Sequence, residues 1–396
     1  MARDREALIT GVGLVSSLGE GLDAHLDALD RIGTDGPVLD ITSFAPFPVH
    51  PMVALELDRQ IPKRGDQRQM EPWQRIGTYA AGLALDSARV KGNPELLGAM
   101  DMIVAAGGGE RDCAADVAIL SGIPHAPDPG LYLNEHLQSD LRPTLFLAQL
   151  SNLLAGNISI VHGVVGSSRT FMGEEASGAD AVRIACARIA AGQGDLFLVG
   201  GACNAQRWDT LMLYELGHTL WKGGALGVWA RQAEGGGMVM GSVGCFLVIE
   251  SRAHAERRGV TPLAHITGIR TGRCRREPGQ ASAGATGQLE ALRHEFDPGS
   301  AAVISGASGV AAATREEQAF LISLGMPVRA TGTAIGHSLE PSFPANLALA
   351  AGAVARGRLF APLEQAEAAM DRPLRQALVT SWGHWRGEAL AVVTAA

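Results

Sequence analysis

Cysteine is scarce in this chain, and the cysteines present do not form a recognisable site. There are 5 in 396 residues, an odd number with no Cys-x-x-Cys pair. This usage argues against a zinc site and against a disulfide framework, and it fits a reducing compartment. The thiols are scattered along the sequence at Cys113, Cys186, Cys203, Cys245 and Cys274.

Long apolar runs are also missing. The longest, residues 347–355, falls well short of the roughly 20 residues that a membrane-spanning helix needs. The first residues contain no apolar core typical of a signal peptide. We therefore expect no membrane span and a cytoplasmic location.

Aromatic residues make up only 5% of the chain, whereas 46% of it is hydrophobic and 50 residues are glycine. This composition is typical of a compact α/β protein with close backbone packing. The formal charge of −8 argues against general nucleic-acid binding. The glycines at 107–109 lack the spacing of a phosphate-binding loop, so the sequence predicts no metal and no cofactor.

Hydrophobic patterning predicts alternating strands and helices, which indicates a layered α/β fold. The predicted strands are 7–15, 102–106, 157–161, 195–199, 245–250, 263–270, 301–305, 327–330, 377–380 and 390–393. The predicted helices are 21–32, 71–90, 145–155, 179–191, 252–258, 288–295, 312–324 and 345–356. Segments 36–72, 121–134 and 272–285 are interpreted as loops. A loose recurrence of the pattern divides the chain into halves, 1–258 and 259–396.

One turn stands out as a candidate site. The stretch 169–178, Arg-Thr-Phe-Met-Gly-Glu-Glu-Ala-Ser-Gly, lies between a predicted strand at 157–161 and an alanine-rich helix. Many α/β enzymes hold a nucleophile in such a small-residue turn, aimed at a helix N-terminus. Here the corresponding position is Glu175, with Glu174 beside it.

Several motifs together resemble the β-ketoacyl-acyl-carrier-protein synthases of the thiolase superfamily. They are Ile-Thr-Gly-Val-Gly-Leu-Val-Ser-Ser-Leu-Gly at 9–19, Arg-Gln-Met-Glu-Pro-Trp at 68–73, Asp-Leu-Phe-Leu-Val-Gly-Gly at 195–201 and Gly-His-Ser-Leu at 336–339. The resemblance covers nearly the whole chain. It implies a duplicated, five-layered αβαβα thiolase-like fold and a dimer whose contact lies near the turn.

The same resemblance implies that most of the catalytic set is replaced. The family's nucleophilic Cys falls at Glu175, its first His at Ala307 and the Lys before its second His at Gly332, while the second His is kept as His337. Glu317 corresponds to the acidic residue downstream of the first His motif. A carboxylate at Glu175 either acts in chemistry or caps the helix N-terminus, which typically contributes about 0.3–1 kcal/mol. The joint loss of Cys, His and Lys favours the capping role.

The family's C-terminal Gly-Phe-Gly-Gly turn appears as Gly-His-Trp-Arg at 383–386. His384, Trp382 and Trp385 therefore either plug an acyl tunnel or simply pack this turn. Four arginines form the densest basic cluster on an acidic chain and are candidates for docking an acidic acyl carrier protein, although a charged surface loop is the commoner explanation. They are Arg270, Arg273, Arg275 and Arg276.

Three hypotheses for the function follow from the resemblance. The favoured one is a non-nucleophilic subunit that pairs with an active ketosynthase, similar to the chain-length factors of type II polyketide systems or to the paired synthases of rhizobial very-long-chain fatty-acid synthesis. The second is a malonyl-carrier-protein decarboxylase that uses Glu175 and His337. The third is a carrier-protein binding module without chemistry. The expected partners are an acyl carrier protein and either an active ketosynthase or a second copy of this chain.

Overall fold

A computed structural model describes residues 3–141, 145–146, 149–385 and 387–396. Its strands are β1 Ala7–Ser16, β2 Gly19–Glu20, β3 Val49–His50, β4 Asp101–Ala105, β5 Ser168–Phe171, β6 Leu196–Cys203, β7 Met240–Gly241, β8 Val243–Ser251, β9 Ala264–Gly272, β10 Ala301–Ser305, β11 Val328–Ala330, β12 Gln376–Trp382 and β13 Glu388–Ala395. Its helices are α1 Leu22–Asp35, α2 Arg64–Gln69, α3 Pro72–Ser87, α4 Pro94–Ala99, α5 Cys113–Gly122, α6 Pro129–Ser139, α7 Leu153–His162, α8 Glu175–Ala190, α9 Trp208–Glu215, α10 Val228–Ala233, α11 Arg252–Arg258, α12 Gln280–Ala291, α13 Ala311–Leu324, α14 Gly332–Ile335 and α15 Ser342–Ala355.

The sheet contains the same strand arrangement twice. In the first set the order is β5-β4-β6-β8-β1, and in the second it is β11-β10-β12-β13-β9. In each set the first three strands are parallel and the last two pairings are antiparallel. The sets meet where β1 pairs with β9, with Ile9 opposite Ala264. The duplicated fold expected from the resemblance is therefore confirmed.

Helices α8 and α15 occupy equivalent places in the two sets and pack against each other in the middle layer. Nearly every residue of α15 is buried, because one face contacts strands and another contacts α8. At Gly178, helix α8 comes close to the segment just before α15, and a Cβ atom there would lie 2.1 Å from the carbonyl oxygen of Glu340. Outer helices cover the two strand sets, α3 and α7 on the first and α12 and α13 on the second.

The predicted strand at 157–161 is wrong, because these residues lie in helix α7. Leu154, Ala155, Ile158 and His162 are its buried residues, a spacing that places them on one helical face. The strand that precedes the turn is β5, an edge strand whose residues are exposed or half-buried. It carries no apolar pattern that would have predicted it.

The predicted loop at 121–134 is also wrong, since most of it belongs to the ends of α5 and α6 and a short 3₁₀ turn between them. Asp112 and Asp128 cap these helices, and each accepts backbone N–H groups through its side chain. Helix α6 has no buried residue, so no apolar face indicated it. The predicted loop at 272–285 is partly helical because α12 begins at Gln280.

Most other predicted elements match within a few residues, and the closing antiparallel pair is confirmed as β12 and β13. The predicted helix at 145–155 contains residues 147 and 148, which lie outside the described residues. The division at 258/259 stays a prediction, and it falls between α11 and β9. Within the described ranges, no helix combines the length and the apolarity that crossing a membrane requires.

Candidate functional site

The turn between β5 and α8 has a constrained backbone. Glu174 adopts φ 56° and ψ −137°, a region that disfavours residues with a side chain, and Gly173 precedes it at φ 136°. A non-glycine residue in such a conformation typically costs about 1–3 kcal/mol. The backbone N–H and the hydroxyl group of Ser177 both donate to the carbonyl oxygen of Glu174 and fix the first turn of the helix.

Glu175 is the first residue of α8, and its side chain is fully enclosed, with 1% of the residue exposed. Its Oε1 accepts a hydrogen bond from Nε2 of His337 at 2.7 Å and one from the backbone N–H of His384 at 3.2 Å. Its Oε2 is buried and has no partner among the described residues. Burial opposes ionisation, but the hydrogen bond and the charge of His337 outweigh it, so the pKa of Glu175 is lowered.

His337 is held in place by its own backbone. Its N–H donates to the carbonyl of Val239 at 2.8 Å, and its carbonyl accepts from the N–H of Gly241 at 2.9 Å. An ionised carboxylate only accepts hydrogen bonds, so Nε2 of His337 carries the proton in its bond to Glu175. The two side chains therefore satisfy each other inside the protein.

The residues at the predicted first-His and Lys positions lie together beside His337. A Cβ atom on Gly332 would be 2.9 Å from the carbonyl oxygen of Ala307. Both residues line a cavity of about 10 Å³ that also borders His337. A space of this size holds one water molecule at most. The structure therefore places Ala307, Gly332 and His337 around one small cavity, and His337 is the one titratable side chain among the described residues that line it.

Glu317 lies behind this region and does not border the small cavity. Its Oε1 accepts from the hydroxyl groups of Ser305 at 2.8 Å and Thr380 at 2.6 Å. Burial raises the pKa of its carboxyl group. These contacts tie β10 to β12 and are structural.

A second, much larger cavity of about 930 Å³ opens beside the turn. Glu174 and Glu340 line it, whereas Glu175 and His337 do not. Other residues of its wall are Trp73, Cys203, Arg207, Tyr214, Arg275 and Trp385. The space expected for a ligand is thus open, but the side chain at the nucleophile position lies outside it.

Two carboxyl groups of this cavity have raised pKa values. Oε1 of Glu174 accepts from the hydroxyl group of Tyr214 at 2.9 Å, and burial together with the charge of Glu175 raises the pKa of Glu174. Glu340 is 5% exposed, and burial together with the charges of Glu175 and Glu174 raises its pKa to about 7. Glu340 and Tyr214 were not singled out from the sequence, although a lone charge next to the Gly-His-Ser-Leu motif was a usable signal.

The C-terminal turn brings only part of the predicted aromatic group to the cavity. Trp385 is 56% exposed and lines the cavity. The ring of His384 packs edge-on against the Trp385 ring, with 4.5 Å between the ring centroids. Both ring nitrogens of His384 are buried without a hydrogen-bond partner in the described part of the chain, and burial lowers its pKa. Trp382 instead packs against Phe320 in the outer core, away from the cavity. Residue 386 of the predicted turn lies outside the described residues.

The four arginines have different environments. Arg270, Arg273 and Arg275 are exposed and line an open cleft of about 840 Å³, and Arg275 also borders the large cavity. Arg276 points inward, where it donates to Glu388 at 2.5 Å and to the carbonyl of Gly383 at 2.5 Å. Arg276 therefore holds the C-terminal turn. Among the described residues, no three or more His, Cys, Asp or Glu side chains are grouped so that they could hold a metal ion.

Comparison with known proteins agrees with this architecture. The model of the β-ketoacyl synthase N-terminal domain matches residues 53–255, more than half of the chain. The chain belongs to the β-ketoacyl synthase family. A member of this family from Rhizobium meliloti (strain 1021), 3-oxoacyl-[acyl-carrier-protein] synthase 2, is 25% identical over 284 residues. That match covers 67% of this chain and 63% of the relative, so the chain spans less than two thirds of the length of that protein.

Two solved structures show the same fold at low sequence identity. The ishigamide ketosynthase/chain length factor is 19% identical, with a TM-score of 0.79, and the match covers 99% of both chains. A type II polyketide synthase acyl carrier protein in complex with its ketosynthase bound to the hexaketide contains a chain that is 17% identical, with a TM-score of 0.75. That match covers 99% of this family member and 100% of the other chain.

Proposed function

We propose that this family member is a non-nucleophilic subunit of acyl-chain elongation on a carrier protein and pairs with an active ketosynthase. The observation that carries the proposal is the enclosed carboxylate of Glu175 at the turn. In the family pattern this position holds the thiol that accepts the acyl group. This carboxylate is bound by His337 and by a backbone N–H, is enclosed by the protein and does not border the large cavity, where we expect a thioester to lie.

The donors around Glu175 are of the kind that stabilises negative charge on a reacting oxygen. His337 Nε2 and the backbone N–H of His384 converge on Oε1 at the positive end of helix α8. Such donors accelerate acyl transfer only when they point at an oxygen of the substrate. Here they bind an oxygen of the chain itself, which supports a role in stability.

The decarboxylase hypothesis fits the geometry less well. A base or electrophile must reach the substrate, but Glu175 and His337 do not border the large cavity. The pKa of Glu175 is lowered, so the group is ionised at neutral pH. An ionised carboxylate in a water-poor site would repel the malonyl carboxylate.

A partner surface is available next to the turn. Strand β5 ends the sheet order, and its outer edge has no strand beside it in the described chain. Exposed apolar side chains precede and follow it in the chain, at Ile160, Val165 and Met172, and the exposed Leu213 shares a cavity wall with Met172. An unpaired edge with an apolar border is typical of an interface. Met172 and Leu213 also line the large cavity, so a partner seated there would help to close it.

A carrier protein is proposed to dock by charge. Carrier proteins of this pathway are acidic, and Arg270, Arg273 and Arg275 are exposed along the open cleft. Arg275 also borders the large cavity, whereas Arg273 pairs with Asp180 at 3.3 Å. Such complementarity mainly speeds encounter and fixes orientation. Arg276 is not part of this surface because its guanidinium group binds Glu388.

The direct test is co-expression with the Cys-containing ketosynthase encoded nearest to it. We expect the two chains to purify together, and an acyl carrier-protein thioester to acylate only the partner, as read by intact-protein mass. A matched preparation of this chain alone serves as the control. A stable homodimer that condenses acyl and malonyl carrier-protein substrates without a partner would overturn the proposal.

A further inference from the structure

We propose that Glu174 and Glu340 make the large cavity selective for an acyl chain that carries keto or hydroxyl groups, and that they disfavour a saturated hydrocarbon chain. This inference rests on the proposed function insofar as the occupant is an acyl chain. Beyond the proposed function, Glu174 and Glu340 would determine whether a polar or an apolar acyl chain binds.

The two carboxyl groups are built into the wall of the cavity. Glu340 is held against Gly107, where a Cβ atom would lie 2.9 Å from its Oε1. Gly107 and its neighbours Gly108 and Gly109 line the same cavity, so a larger residue at 107 would collide with this carboxyl group. The carboxyl group of Glu340 accepts from its own backbone N–H and from that of Glu174, and no side chain in the described chain donates to it.

Neither carboxyl group is neutralised by an ion pair in the described residues. Of the arginines in the cavity wall, Arg207 pairs with Asp209 and Arg111 pairs with Asp116, and among the described residues Arg275 makes no ion pair with either carboxyl group. Among the described side chains, Tyr214 and Trp385 donate to Glu174, and a carboxylate has further acceptor positions beyond these two. Each carboxyl group accepts hydrogen bonds from the chain and still keeps acceptor positions that a ligand in the cavity can use.

A hydrocarbon chain is a poor occupant of this space. It would remove water from both carboxyl groups without replacing the lost hydrogen bonds, and such desolvation is costly. A chain with oxygen groups restores them. Glu340, whose pKa is near 7, exists partly in its protonated form at neutral pH and in that form donates to a ketone oxygen. Glu174 accepts from a hydroxyl or enol group.

The cavity has the volume for such a ligand. Its volume of about 930 Å³ lies toward the upper end of the range typical of small-molecule sites, roughly 300–1,000 Å³. Its wall also contains Trp73, Leu339 and Trp385, which contact the carbon skeleton of a ligand. The cavity therefore combines apolar side chains with the carboxyl groups of Glu174 and Glu340.

The test compares two probes of equal length on the protein as purified with its partner. They are the non-hydrolysable pantetheine amides of hexanoic acid and of 3,5-dioxohexanoic acid, and calorimetry measures the Kd of each. We expect the dioxo probe to bind at least about tenfold more tightly, the value of one well-made hydrogen bond. Glu340→Leu should remove about tenfold of this preference, whereas Glu340→Gln, which keeps a donor and an acceptor, should retain most of it.

Equal or tighter binding of the hexanoyl probe to the native protein would overturn the inference, as would the absence of binding by either probe. If Glu340→Gln lost as much of the preference for the dioxo probe as Glu340→Leu, the hydrogen bonds of Glu340 would not be its source. Thermal unfolding of both variants checks that they are folded. The proposed function has separate readouts, partner capture and the absence of acylation. Its failure is therefore distinguishable from failure of this inference.

Discussion

Glu175 and His337, 162 residues apart in the chain, share a buried hydrogen bond of 2.7 Å across the middle layer of the fold. One residue begins α8 and the other lies just before α15. Replacing Glu175 by Ala would leave Nε2 of His337 and the N–H of His384 without their acceptor. We expect a loss of about 1–3 kcal/mol in the free energy of unfolding.

Urea unfolding measures that change. Glu256→Ala, which alters an exposed glutamate on helix α11, is the matched control and should stay within about 0.5 kcal/mol of the native protein. If Glu175→Ala were as stable as this control, Glu175 would not hold the helix end.

The pKa of Glu340 predicts a dependence of stability on pH. Its carboxyl group has a pKa of about 7 in the folded protein, raised from an ordinary value of 4.5 by burial and by the charges of Glu175 and Glu174. Because the folded state holds this proton more tightly, the group contributes stability below pH 4.5 and loses it as the pH rises through 7. The loss is at most about 3 kcal/mol.

Glu340→Gln should abolish this component of the pH profile. Unfolding midpoints in urea, measured from pH 5 to pH 8, should fall less steeply in the variant than in the native protein. The lowered pKa of Glu175 acts in the opposite direction, since its stabilisation is present above pH 4.5 and is lost only in acid. Parallel profiles for the variant and the native protein would contradict the raised pKa.

Restoring a thiol at the turn should restore reactivity but not condensation. In Glu175→Cys the thiol would lie at the N-terminus of α8 beside His337, a setting that lowers thiol pKa values. Because Cys leaves free the space that the Glu175 carboxyl group fills, we expect iodoacetamide to label position 175 before Cys203, which lines the large cavity but whose pKa burial raises. Peptide mass mapping identifies the labelled site.

Condensation should remain absent in the same variant, because Ala307 and Gly332 still provide no proton-carrying side chain. A labelled Cys203 with an unlabelled position 175 would show that the turn is closed to small reagents. Full ketosynthase activity in the single variant would show that His337 alone suffices.

Two neighbouring arginines should respond differently to substitution. Arg275→Glu should weaken binding of an acyl carrier protein about fivefold at low salt and less at high salt, because Arg275 is exposed. Arg276→Glu should instead lower the melting temperature, because Arg276 binds Glu388 and the carbonyl of Gly383. Surface plasmon resonance and thermal unfolding, applied to both variants, separate these effects. Unchanged carrier binding in Arg275→Glu would contradict docking at this cleft.

The apolar border of β5 predicts where a partner binds. Met172→Asp and Leu213→Asp should each reduce co-purification of the ketosynthase by about tenfold or more, since burying an unpaired charge in an interface is costly. Ile322→Asp, which changes an equally exposed side chain on α13, is the control and should have no effect. Equal losses in all three variants would indicate a general defect in folding.

The sequence predicted the elements whose pattern reflects burial. Residues 301–305 and 252–258 have the predicted bounds, because an all-buried strand and a capped short helix carry local signals. Strand β5 and helix α6 were missed, since neither buries an apolar face. The replacement of the catalytic set, inferred from motif positions, stays a prediction, and the structure brings the four residues concerned, Glu175, Ala307, Gly332 and His337, to one place.

The polarity of the cavity could not be predicted in the same way. Glu340 and Glu174 are 166 positions apart in the numbering, and only the packing of α8 against the segment before α15 brings them to one wall. The inward direction of Arg276 likewise depends on Glu388, which belongs to the last strand. Such pairings are long-range properties that local patterns do not encode.

The repeated strand order has a consequence for how the hydrogen bond between Glu175 and His337 can be used. The carboxylate comes from one repeat of the β-α unit and the imidazole from the other, so neither repeat can form the bond by itself. The Nε2 proton of His337 is therefore a natural reporter of docking between the repeats. Its NMR resonance should appear only when both are assembled, and a chain cut near residue 258 and mixed from its two pieces would reveal reassembly through that single signal.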